Sequence, residues 1–191
     1  MPETSSGYST RLEVENGDSD QAQSDGLFAM MRVNGYLGYG FFFDNDGVLR
    51  YEMVLEGYGL DRLLFDGNEI ITCVSSSKLA RIDGLGRGTQ VYQLDGYDLH
   101  HDIGFGTDGE VLALAEVTGG ETVEDRLLSI DLETGAVTEL VDFSQLMEPY
   151  FETTRPVGPG DDFFWQAGEW DWLHLNSVQY MAEDDSVIVS S

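Results

Sequence analysis

The sequence holds one cysteine, Cys73, and nine basic residues, of which only Lys78 is a lysine. A single thiol excludes any internal disulfide, and its place in the strand-like run Glu69-Ile70-Ile71-Thr72-Cys73-Val74 marks it as a buried core group. The nine cations stand against 36 acidic residues, a formal charge of −27. Nucleic acid and anionic membrane surfaces require a basic footprint, so this balance excludes both as partners. Surface carboxylates of this number are expected to solvate the chain, and they repel anions wherever cations are not concentrated locally. No apolar run approaches the length of a membrane span, and Met1 to Gly26 contains no apolar stretch of the kind found in export signals. Taken as written, the chain is expected to be neither exported nor membrane-embedded; its compartment stays open.

Histidine is scarce too, and all three copies fall in two short motifs, Leu99-His100-His101-Asp102-Ile103 and Asp171-Trp172-Leu173-His174-Leu175-Asn176-Ser177. Each motif leads into a hairpin pattern, which places the histidines on equivalent strands of a repeated unit. From Leu27 onward, β-branched and aromatic residues flank turns rich in Gly, Asp and Asn. One kind of hairpin carries an Asp ahead of a glycine turn, at Asp44, Asp83 and Asp131, spaced by roughly 40 to 50 residues. The other kind follows Leu64 and each histidine motif. Four strands per repeat at this spacing predict an all-β fold, a partial β-propeller of about two to three four-stranded blades.

Residues 1–26 are read as an acidic, mobile extension and residues 27–191 as the incomplete propeller. An aromatic-rich insertion at 143–171 holds Phe163, Phe164, Trp165 and Trp170, with Trp172 just beyond, and Phe143 to Phe151 can make one short helix. Closed propellers have about four to eight blades. So few leave strand edges open, and further blades or self-association are expected to cover them.

In an extended strand, residues two apart share a face, so His174 and Asn176 point the same way while Leu173 and Leu175 face the packing. On the same rule His100 and His101 face opposite sides, and His101, opposite Asn176 when the two hairpins are aligned, is the favoured one. Imidazole donates a hydrogen bond when protonated and takes a proton when neutral. Trp165, Trp170 and Trp172 offer faces for an aromatic ligand, with packing between blades as the equal alternative. A metal can also be held by such histidines, but hydrogen bonding is preferred, and no metal or cofactor is expected. Gly84-Leu85-Gly86-Arg87-Gly88 lacks the helix a phosphate loop needs and is read as a hairpin turn. Asp44 to Gly47 lacks the closing acid of a calcium loop, with Met53 where that acid belongs. Glu183-Asp184-Asp185 is a solvated hairpin tip.

The His-His-Asp-Ile motif before a Gly hairpin, the run Arg126-Leu127-Leu128-Ser129-Ile130-Asp131 to Gly135 with Val141-Asp142-Phe143, and Asp171 to Ser177 leading to Val187-Ile188-Val189-Ser190-Ser191 together resemble the aryl-sulfate sulfotransferases that work without a nucleotide donor. The resemblance implies a six-bladed propeller with its site at the central channel. It also implies transfer of a sulfuryl group from a phenolic sulfate ester to a phenol, by a ping-pong route through a sulfated histidine. Small-molecule aryl sulfate and phenol are then the partners, with one active-site histidine from the His100-His101 pair and another at His174. In that pattern an arginine follows Ser191 and the nucleophilic histidine lies further downstream, so this chain alone is expected to be inactive. Members are usually exported or periplasmic. A non-catalytic propeller module serving as an interaction surface is the alternative.

Overall fold

The structure is a computed structural model that describes Gly7 and residues 28–34, 37–56, 62–107, 109–154 and 170–191. The proposed extension at 1–26, apart from Gly7, and Trp165 with Phe163 and Phe164 lie outside the described residues. The chain divides into two compact units, Met1–Gly59 and Leu60–Ser191.

The first unit is an antiparallel meander of β1 (Phe28–Asn34), β2 (Leu37–Phe43) and β3 (Leu49–Glu56). Tyr39, Phe41 and Phe43 alternate along β2, so their rings line one face and pack on Leu49. Phe42 turns to the other face and meets Tyr51.

The second unit contains two four-stranded antiparallel sheets in sequential order. One is β4 (Leu64–Asp66), β5 (Glu69–Ser75), β6 (Lys78–Asp83) and β7 (Gly88–Gln93); the other is β8 (Tyr97–Phe105), β9 (Glu110–Val117), β10 (Arg126–Asp131) and β11 (Val137–Asp142). Two short helices follow, α1 (Phe143–Leu146) and α2 (Glu148–Thr153), where one was expected. The chain then forms a two-stranded sheet of β12 (Ser177–Met181) and β13 (Ser186–Ser190). The fold is all-β and built from propeller blades, as expected, with two full four-stranded blades among the described residues.

Stacking of the blades explains why β9 is buried along nearly its whole length. Val111, Ala113 and Ala115 face the β4–β7 sheet and join Leu64, Ile71, Leu79 and Tyr92 in one core. Leu112 and Leu114 point the other way and join Leu127, Phe143, Trp170, Trp172, Leu175 and Val178 in a second. A strand covered on both faces drops the apolar–polar alternation of a half-solvated one. Cys73 lies in the first core, where burial pushes its thiol well above the ordinary range.

The β8–β9–β10–β11 sheet meets β12 without a hydrogen-bonded ladder. Instead the Val178 amide donates to Asp102 Oδ2 at 2.9 Å, and Asp102 also receives Nη1 of Arg62 at 2.8 and 2.9 Å. Gly104 lets the backbones come close, since a Cβ there would sit 3.2 Å from the Val178 carbonyl oxygen.

Candidate functional site

Three chain segments converge beside this junction. The first is on β8, where the ladder with β9 slips between Leu99 and Ile103 and carries His100 and His101 through an irregularity. The second is the link from β9 to β10, which presents Glu124 and Asp125; the third is the stretch before β12, with Asp171, Trp172 and His174. The second and third segments run side by side: Trp170 N donates to Glu121 O at 2.8 Å, Val123 N to Trp170 O at 3.1 Å and Leu175 N to Glu124 O at 3.3 Å. Asp125 is fully buried beneath them, accepting the indole Nε1–H of Trp172 at 2.8 Å and paired with Arg126.

Four non-glycine residues among those described have positive φ, and three of them are His101 (50°), Glu124 (58°) and His174 (53°). Each such placement costs roughly 1–2 kcal/mol. Their meeting in one place is what a functional constellation held by its surroundings looks like.

Glu124 is the hub. Its Oε2 lies 3.2 Å from His101 Nε2 and 2.8 Å from His174 Nδ1, and Asp171 Oδ2 reaches the same Nδ1 at 2.6 Å. The rings of His101 and His174 are 5.0 Å apart, and His100 stands edge-on to His101 at 5.3 Å. Burial pushes the Glu124 carboxyl up, partly countered by the neighbouring histidines. Burial also opposes charge on His174, but the Asp171 hydrogen bond and the Glu124 and Asp171 carboxylates outweigh it and raise its pKa above the ordinary imidazole value. His100 is the opposite case: burial pushes it down to about 3, with slight opposition from the Ala115 backbone, and keeps its ring neutral. Asp171 and Glu124 thus favour the protonated, hydrogen-bond-donating form of half-exposed His174, while burial favours the neutral form of His100, with His101 between the two rings.

The structure thus brings His100, His101 and His174 together. The opposite-face rule for His100 and His101 does not operate, because the positive φ at His101 and the slipped register re-aim the pair. Nor are His174 and Asn176 on a strand, since β12 starts at Ser177. Asn176 is exposed, and its Nδ2 donates to the His174 carbonyl at 3.1 Å. Trp170 and Trp172 are buried in the apolar cluster, Trp170 stacked on Phe151 at 4.4 Å and Trp172 edge-on to the same ring at 5.0 Å. Trp172 presents its indole N–H to Asp125, the residue after Glu124, rather than a ring face to the histidines. Glu124, Asp125 and the contact role of Asp171 were missed from sequence. The one signal for the first two was Glu124-Asp125-Arg126, acids beside one of few cations.

A family model described as arylsulfotransferase (ASST) matches residues 13–191. No curated protein gives a significant match. Solved structures similar to the chain include a glutaminyl cyclase of Myxococcus xanthus, at 13% identity and TM-score 0.44, covering 87% of this chain and 69% of that one. BamB from Moraxella catarrhalis shares 14% identity at TM-score 0.39, over 58% of this chain and 39% of its own. A europium-containing methanol dehydrogenase shares 11% at TM-score 0.42, over 60% and 26%. This chain spans well under half the length of the last two.

Proposed function

The chain belongs to the arylsulfotransferase family, and from that premise we propose that its histidine cluster binds and orients a sulfuryl group passing from a phenolic sulfate ester to a phenol. The observation that carries this is the convergence of all three histidines of the sequence on one carboxylate, Glu124, in segments that the family match covers.

Sulfuryl transfer, like phosphoryl transfer, spreads charge over equatorial oxygens in a loose transition state, so catalysis consists mainly of positioning and hydrogen-bond donation. In the ping-pong route that the resemblance implies, the ester S–O bond breaks as an S–N bond to a nucleophilic histidine forms, and the departing phenolate takes a proton from an imidazolium. In the second half the acceptor phenol attacks sulfur, the S–N bond breaks, and the phenolic proton returns to an imidazole. His174, half-exposed and with its protonated form favoured by Asp171 and Glu124, suits the donor of the first half. Glu124 holds its Nδ1 side, and the imidazole of His101 stands next to it. The nucleophile of that route is a further histidine, downstream in the family pattern.

The test uses the protein expressed from its complete reading frame, with a chromogenic aryl sulfate as donor and a phenol as acceptor. His174→Ala is expected to lower kcat by about 10²–10³, the usual cost of one transition-state donor. Unaltered turnover in that variant removes His174 from the site. Absence of transfer in the wild-type protein favours the non-catalytic interaction module.

A further inference from the structure

We propose that His100, His101 and Glu124 form a binding site for a divalent metal ion of the zinc class. One donor atom from each of the three lies within 4.8 Å of the other two. The 3.2 Å between His101 Nε2 and Glu124 Oε2 is close to the spacing of two donors that each sit about 2.0–2.2 Å from a tetrahedral ion. Two imidazoles and a carboxylate match the donor chemistry of borderline first-row divalent ions, and three protein ligands leave a coordination position open.

The independent observation is His100. It is only 9% exposed, and neither ring nitrogen makes a well-formed hydrogen bond among the described residues, the Ala115 backbone giving it only a slight attraction. A buried polar atom without a partner is destabilising, a cost that an apolar residue of similar size would avoid. The ring sits edge-on against His101, with a nitrogen inside the cluster, so an ion there supplies what the imidazole lacks. The same oxygen, Glu124 Oε2, also faces His174 Nδ1 at 2.8 Å, an orienting contact of the sort that flanks ligating carboxylates.

What the ion would do rests on the sulfuryl-transfer proposal, whereas the site itself does not. Sulfate esters are anions, and the described cluster presents Glu124 and Asp171 to them, while nearby Arg126 is committed to Asp125 and Asp142. A divalent ion with an open position offers a sulfate oxygen positive charge beyond that of the His174 imidazolium, beside the two carboxylates.

The experiment needs no substrate. Protein from the complete reading frame, stripped with chelator and dialysed, is titrated with Zn²⁺ by calorimetry and with Co²⁺ by visible absorption. One ion per chain is expected, with the Co²⁺ ligand-field bands of an imidazole-bearing site. His100→Ala and Glu124→Gln are each expected to weaken binding by at least about tenfold, with circular dichroism unchanged. His101→Ala, a more exposed position, repeats the test should His100→Ala fail to fold. His174→Ala retains the ion under this proposal while losing transfer, so failure of the metal site and failure of the catalytic assignment give different results. No uptake by the wild-type protein, or uptake that Glu124→Gln and both histidine variants leave unchanged, overturns the proposal.

Discussion

Asp125 has no solvent exposure, yet it carries a charge that Arg126 and the Trp172 indole hold in place. Arg126, itself nearly buried, is shared with Asp142 at 3.1 Å and Glu139 at 3.6 Å. Truncating one partner of a buried pair strands the other, which costs more than the pair contributes. Asp125→Ala is therefore expected to destabilise the protein by about 3 kcal/mol, measured as a lowered midpoint in urea. Asp125→Asn, which keeps an acceptor for the indole, should lose less. At this scale the histidines were legible because they are few and grouped. Glu124 was not: among 36 acidic residues one more carboxylate is inconspicuous, and its importance comes from contacts with residues 23 and 50 positions away.

The hairpins were the most legible elements, because their turns are decided locally. Asp44, Asp83 and Asp131 each accept backbone amides from their own turn, for example Glu133 N and Thr134 N at 2.8 and 2.7 Å on Asp131 Oδ1. These amides hold the Asp131 carboxyl below its ordinary 3.8. A depressed carboxylate contributes stability above its unfolded pKa and loses it as pH falls through the folded one. Asp131→Ala is thus expected to unfold below the wild-type temperature at pH 7, with the gap closing as pH drops below that of the free carboxyl. A gap of constant size across the acid range would show that the turn carboxylate is not the cause. The elements around the site were less legible, and for a physical reason. Residues 171–176 make their bonds to the β9–β10 link and to Ser190, so long-range partners rather than a strand period set their side-chain directions. The slipped register in β8 has the same origin, since nothing in the Leu99 to Ile103 run marks a bulge. The insertion's first third was readable as helical, and Asp142, accepting from Ser144 N and Gln145 N, is an ordinary helix cap.

For the whole molecule, charge is the governing quantity. A formal −27 is self-repelling, and repulsion among exposed carboxylates works against the compact state. Raising NaCl from about 0.01 M to 1 M shortens the screening length from about 30 Å to 3 Å, and the melting temperature is expected to rise accordingly. A melting temperature indifferent to salt would mean that the acidic residues are balanced pairwise. The junction between β8 and β12 has a further consequence. The two strands belong to different sheets, joined by the Asp102 to Val178 amide bond and the close approach at Gly104, and each sheet, or the chain leading into it, brings a histidine to Glu124. The gap between those imidazoles therefore acts as a caliper on the two sheets. A small slip of one past the other opens the jaws while every strand remains intact, so competence at the site depends on alignment of the sheets, a stricter condition than being folded.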